Sequence, residues 1–304
     1  MEMKQYTMEH ADRNLQEFRI VSGYKDNDVL RKSLNTLTAK VFGFHFEQWY
    51  RDGYWQEKYV PYSITDGQII AANISVNFMD FIDGGAKKHY IQLGTVMTDP
   101  AFWGRGLSRI LMEKILDELE DQCELFYLFA NDTVLDFYPR FGFVKAEEYQ
   151  YSKMVSKEDT RADIRKLDMS DINDRNMLYH IAADTVPLYR LSMTGNPSLI
   201  MFHCTNDKKD SIYYLKEYDT VVIAEYMEDR LYIEDVFCTG RVELDRITKA
   251  LPHPRNTKII LGFTPEDAAS YQTDIFKEEG STLFIRAKSG VSLPKVRFSV
   301  LSHA

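Results

Sequence analysis

The sequence predicts an α+β fold: a mixed central sheet flanked by helices, followed by a second α+β unit of the same pattern. Three features predict it. Antiparallel hairpins come before any strand that needs a helical crossover. A strand–helix–strand–helix–strand run follows, and the same order recurs faintly in the second half.

Residues 28–51, DVLRKSLNTLTAKVFGFHFEQWYR, place apolar side chains three and four apart and read as one or two helices. PYSITDGQIIAANISVNFMDF reads as two strands joined at Asp66-Gly67, a strong hairpin dipeptide. Asp83-Gly84-Gly85 makes a further turn into the strand KKHYIQLGTVMT. After Gly106 the period becomes helical, with Leu107, Ile110, Leu111, Ile115 and Leu119 on one face. CELFYLFAND is nearly continuous in apolar residues and suits the middle of a sheet. TVLDFYPRF then reads as a short helix closed by Gly142, and FVKAEEYQYSKMV as one strand.

Around SKEDTRAD charge rises and the apolar pattern lapses, which sets two domains, 1–157 and 158–304. Beyond it DMSDINDRNMLYHIAA reads as a helix and SIYYLKEYDTVVIAEYMEDRLYIEDVF as three strands. RVELDRITKAL is expected helical, KIILGF a strand, PEDAASYQTDIFKEE a helix and STLFIRA a strand. KIILGFTPEDAASY echoes LFYLFANDTVLDFY, the mark of a duplicated domain.

Composition narrows the function. The chain has 304 residues, 44% hydrophobic and 27% charged, enough for two real cores. A formal net charge of -9 argues against nucleic acid and favours cationic partners. MEMKQYTMEHADRNLQEF lacks the apolar core of a secretory signal, and no stretch reaches the roughly 20 apolar residues of a membrane span. No membrane partner and a cytoplasmic setting are expected. Cys123, Cys204 and Cys238 are far apart and form no zinc spacing, so no metal is expected. The neighbours His203 and Cys204 read as structural.

The stretch TDPAFWGRGLSRILMEKIL puts two glycines and an arginine at the mouth of a helix. A helix start offers unpaired N–H groups and the positive end of its dipole, both attractive to phosphate oxygens. Gly104 and Gly106 leave the backbone uncovered, Arg105 adds charge, and Ser108 a hydroxyl. A plain strand-to-helix turn is the competing account.

LGTVMTDPAFWGRGLSRILMEKIL resembles the acetyl-CoA motif of the GNAT superfamily of N-acetyltransferases, in which strand, proline, R/Q-x-x-G-x-G/A and helix follow one another. The six positions here are Trp103, Gly104, Arg105, Gly106, Leu107 and Ser108, so tryptophan replaces the usual Arg/Gln and serine the last Gly/Ala. NDTVLDFYPRFGF is similar to the family's N-x-x-A-x-x-x-Y-x-x-x-G-F segment, with Val134 for alanine. The two-domain length resembles the intracellular-survival type, whose second domain is a degenerate copy. The second unit here lacks the glycine loop and is expected to hold no CoA.

The resemblance implies a GNAT fold, acetyl-CoA as cosubstrate, and direct acetyl transfer to a primary amine of a small molecule or an exposed amino group. It implies that the pantetheine arm pairs with the backbone of Val96 and Thr98, between two splayed strands. The pyrophosphate would rest on the N–H groups from Trp103 to Ser108, helped by Arg105 and Arg109. Asn131 would contact the cofactor; an Asx turn at Thr133 is the alternative. Tyr138 stands where the family keeps the tyrosine that protonates the departing thiolate, and core packing by one of 19 tyrosines is its competing account. For the general base, Glu57 is named, with Asp80, Asp83 and the carboxylate of Ala304 as other candidates, each also readable as a surface charge. The aromatics of FGFHFEQWYRDGYWQEKYVPY line either the acceptor pocket or a core.

Two other functions stay open: a noncatalytic acyl-CoA sensor, and an interaction module. The second domain has three open roles: shaping the acceptor pocket, forming a homodimer, or buttressing the first sheet.

Overall fold

The computed structural model describes residues 3–6, 18–156, 163–251, 256–291, 293 and 295–303. The expected boundary at 157/158 and Ala304 lie outside the described residues.

The first half begins with β1 (Lys4–Tyr6), β2 (Arg19–Ser22), α1 (Asp28–Phe42) and α2 (Glu47–Arg51). The hairpins β3 (Tyr59–Thr65), β4 (Ile70–Asp83) and β5 (Ala86–Thr98) follow, then α3 (Leu107–Leu119) and β6 (Leu125–Ala130). Asn27 caps α1 by accepting from the N–H groups of Val29 and Leu30, and Gly43 closes it at φ 80°. TVLDFYPRF is not an α-helix: it makes two 3-10 turns, Asp132–Val134 and Tyr138–Phe141. Pro139 has no N–H for a continuous helical ladder.

The expected single strand after Gly142 is broken into β7 (Val144–Lys145) and β8 (Glu148–Ser156). The second half runs β9 (Ile164–Lys166), α4 (Ile172–Ala183), β10 (Leu191–Thr194), α5 (Pro197–Cys204), β11 (Ile212–Leu215), β12 (Thr220–Met227) and β13 (Arg230–Cys238). It ends with α6 (Leu244–Ala250), β14 (Asn256–Leu261), β15 (Gln272–Phe276) and β16 (Thr282–Ala287). PEDAASYQTDIFKEE, expected helical, instead gives one 3-10 turn and β15. The edge of β8 offers a five-residue antiparallel ladder there, and pairing overrides local helix propensity.

The strands form two sheets. One has the order β1-β2-β3-β4-β5-β6-β16-β7, with β10 also on β4; the other is β15-β8-β14-β13-β12-β11-β9. In each, one parallel pair sits among antiparallel neighbours: β5 with β6, and β13 with β14. Read outward, β4-β5-β6-β16-β7 and β12-β13-β14-β8-β15 match position for position.

That match exposes an exchange. β8 precedes the sequence boundary yet lies in the second sheet, and β16 comes late in the second half yet lies in the first. Each half lends its last strand to the other. Partition at residue 157 therefore describes the sequence pattern but not the sheets. The crossing begins at Ala146, whose N–H still bonds to the Leu283 carbonyl; two residues later the chain has joined the other sheet.

The tail stitches the sheets further. Ser299 Oγ donates to Asp235 Oδ2 at 2.5 Å in the second unit, and Tyr127 in β6 donates to the Ser302 carbonyl at 3.0 Å. Asp235 is wholly buried and also accepts from Tyr189 Oη at 2.7 Å and the Val236 N–H at 2.8 Å. Burial outweighs these bonds and pushes its carboxyl from 3.8 up to about 6. A raised folded value contributes stability that is complete below 3.8 and lost as pH rises through about 6. The loss is on the order of 3 kcal/mol. Asp235→Asn should therefore gain about that much on the wild type between roughly pH 4 and 7 in denaturant titrations. Parallel curves would refute the assignment.

Candidate active site

The β5–β6 ladder extends only from Tyr90–Leu125 to Gln92–Tyr127, after which the strands separate. On the other side β5 stays paired to β4, through Met97 with Asn73 and Thr98 with Ala72. The Asp99 N–H bonds back to the Ala71 carbonyl, so alternation turns the main-chain groups of Val96 and Thr98 into the gap. No ladder partner from β6 meets them there.

A bulge prepares this geometry, because Thr95 and Val96 together face Ile74 on β4. Thr95 takes φ 41°, a left-handed conformation costly for a β-branched residue. Hydrogen bonds hold it. Its Oγ1 donates to Ser75 Oγ at 2.6 Å, Ser75 donates to Tyr59 Oη at 2.7 Å, and Asn73 Nδ2 donates to the Thr95 carbonyl at 3.1 Å. Sequence reading missed this buried network. Its signal was Asn73, Ser75 and Asn77, polar at every second position of an otherwise apolar strand.

Beyond Pro100 the glycine loop has the expected shape. Gly104 and Gly106 have φ 76° and 72°, and a Cβ on either would meet nothing within 4 Å, so the space above them is open. Gly106 caps α3. Leu107 sends its side chain into the core and offers only its backbone; Val96 likewise packs its side chain against the core. Ser108 Oγ and Thr98 Oγ1 bond at 2.7 Å, tying helix start to strand end. Trp103 is 68% exposed, and its Nε1 donates to the Thr98 carbonyl at 2.8 Å. Arg105 stands over the Phe102 ring at 5.2 Å. Arg109 borders the cleft above the loop, about 610 Å³, as does Arg140, a second cation that the sequence reading passed over.

Tyr138 follows Phe137, which lines the cleft. Its ring is buried against Phe137, Phe143 and Phe284, the last from β16. No partner meets its hydroxyl among the described residues, and burial raises its pKa to about 12. The ring thus serves the core while the hydroxyl is a neutral, uncommitted donor. Asn131 adopts the Asx turn: Oδ1 accepts from the Thr133 N–H at 3.1 Å and from its hydroxyl at 2.5 Å.

Glu57 does not join this group. It is exposed before β3, and β3 starts level with Asn77 and Gln92, where the β5–β6 ladder is still closed. Asp80 and Asp83 lie farther back, at the hairpin end. Burial raises the Asp80 carboxyl, but ion pairs with Lys58 and His89 outweigh that and hold it low; Asp83 faces Arg190 at 3.5 Å. Phe46, Trp49, Trp55 and Tyr59 form a core rather than a pocket wall, with Phe202 of α5 packed on Phe46 and Trp49. Trp49 Nε1 donates to the Ser198 carbonyl at 2.8 Å, so this stretch joins the two halves.

The tail sets a further residue against β6. His303 stacks on Phe129 at 3.6 Å, and its carbonyl accepts from His203 Nε2 at 2.7 Å. Burial, with Arg297 and His203 nearby, keeps this imidazole neutral, and its Nε2 has no partner among the described residues.

The second sheet repeats the splayed pair but closes it. β13 and β14 part after Ile233–Leu261. Into the opening runs the segment 185–190: the Val186 N–H bonds to the Cys238 carbonyl at 2.8 Å, and the Arg190 N–H to the Thr264 carbonyl at 3.0 Å. Cys238 N–H donates to Thr185 Oγ1, and Tyr189 stacks on Phe263 at 4.3 Å. The chain's own backbone fills this gap, whereas in the first sheet the Thr98 carbonyl is met by the Trp103 side chain. No cluster of metal-ligating side chains occurs among the described residues, and no helix there is long and apolar enough to cross a membrane.

A splayed parallel pair with a glycine-lined helix start at its mouth makes a site open to an extended ligand that carries phosphate. Residues 31–143 match the model of the acetyltransferase (GNAT) family. Comparison with curated proteins gives no match. Among solved structures, a GCN5-related N-acetyltransferase from Kribbella flavida is similar, at TM-score 0.54 and 15% identity, over 89% of this chain and 71% of that one. A probable N-acyltransferase from Enterococcus faecalis V583 gives 0.54 and 16%, over 89% and 72%. Eis1 from Mycobacterium abscessus gives 0.50 and 15%, over 76% and 65%. These likenesses concern the fold.

Proposed function

We propose that the protein transfers an acetyl group from acetyl-CoA to a primary amine of a small molecule or an exposed amino group. The observation that carries this is the contrast between the two sheets: one gap is open beneath a glycine loop, the other is filled by the chain itself. The residues present fit the cofactor, since the main chain of Val96 and Thr98 faces the gap and Arg109 and Arg140 offset phosphate charge. When bound, acetyl-CoA supplies the activated acyl group as a thioester.

The backbone of β5 aligns the extended arm, and the N–H groups at the start of α3 grip the diphosphate. Tyr138, neutral and unpartnered, donates its proton to the departing sulfur.

Calorimetry with acetyl-CoA should find one site per chain; two would mean that the second gap opens. Gly106→Val should abolish or strongly weaken that binding, because a branched side chain at φ 72° both strains the turn and covers the amides. Mass-spectrometric search for acetylated products across an amine panel then tests turnover. Binding without any product would identify an acyl-CoA sensor instead.

A further inference from the structure

Trp103 is unusual on physical grounds. A large apolar ring standing 68% exposed leaves most of its surface hydrated unless something covers it. It is nevertheless not a loose ring. Its Nε1–H bond to the Thr98 carbonyl fixes the indole beside the strand end, on the border of the cleft. Gly104, Gly106, Arg109 and Arg140 border the same cleft. An anchored aromatic face beside a phosphate-binding turn is suited to a flat heterocycle joined to phosphate.

We infer that Trp103 is a stacking platform for the nucleotide base of the thioester carrier and makes the site selective for carriers that bear a nucleotide. The inference rests on the reading of the glycine loop as a diphosphate site. In that arrangement the ring takes over affinity that a charged residue at this position would supply to the phosphates. Because the Thr98 bond already holds the indole, little rotamer entropy remains to be lost on stacking. Base–aromatic stacking of this kind changes affinity by about tenfold or more. Selection follows from the ring's face: a phosphopantetheine arm carries no flat base to stack on it.

The test is a pair of titrations, CoA and phosphopantetheine, on the full chain, read by calorimetry and by tryptophan emission. Trp49 and Trp55 are buried, so a change in the red-shifted emission reports Trp103. CoA should quench that emission and phosphopantetheine should not. Trp103→Ala should weaken CoA about tenfold and leave phosphopantetheine unchanged, whereas Trp103→Phe should stay within about threefold of wild type. Trp103→Arg should bind CoA with a new, steep salt dependence. Equal loss of both ligands in Trp103→Ala, or no loss of either, overturns the platform while leaving the diphosphate site standing. Failure of the wild-type chain to bind either ligand overturns the site itself, and the platform with it.

Discussion

Replacing Tyr138 by phenylalanine is expected to lower kcat by about 100-fold or more while leaving the dissociation constant for acetyl-CoA unchanged. The substitution removes one oxygen and nothing else. The ring's contacts with Phe137, Phe143 and Phe284 persist, and the lost hydroxyl has no hydrogen-bond partner among the described residues to abandon. Stability should therefore shift by less than about 1 kcal/mol, in contrast with the larger cost of orphaning a bonded partner. With its pKa near 12, the phenol remains protonated at any ordinary assay pH, so the wild-type rate should show no alkaline limb from this group below about pH 10. Steady-state kinetics with calorimetry on both proteins decides the matter. A variant that keeps kcat within about threefold would reduce Tyr138 to a core residue.

Phe284→Ala should destabilise the protein by about 3–5 kcal/mol, the range for deleting a fully buried aromatic ring. Phe284 lies on β16, far along the sequence from the first unit, yet it packs in the first unit's core against Tyr138 at 5.5 Å. The expected result is one cooperative transition shifted as a whole, because exchanged strands couple the two cores. Acetyl transfer should fall as well, since the cavity frees the ring that carries the proposed proton donor. Chemical denaturation followed by fluorescence gives the first quantity. A loss below 1 kcal/mol, or a second transition that moves while the first stays, would mean that β16 is not part of the first core.

Much of the site could be read locally. The turn at Gly104 and Gly106, the helix with Leu107, Leu111 and Ile115 inward, the strand before Asn131 and the tyrosine at 138 all depend on residues a few positions apart. Periodicity and positive-φ turns are properties of such short spans. Glu57 precedes β3, two strands behind the gap, and nothing local tells such a loop from one beside it. The bulge at Thr95 left a trace, the alternating Asn73, Ser75 and Asn77, whose meaning depended on knowing which face was buried. His303 left none, since only the path of the tail brings it onto Phe129.

The sequence by itself determined the hairpins and long helices of the first unit, the glycine loop and the doubling of the pattern, because each is written in a periodicity or a turn dipeptide. Only the tertiary structure decided which sheet β8 and β16 enter, and that the second gap is closed by residues 185–190. Both are long-range choices. Two copies of one fold offer the same slot twice, and a strand whose side chains alternate correctly fits either. The choice is made by the neighbours it meets, not by its own residues.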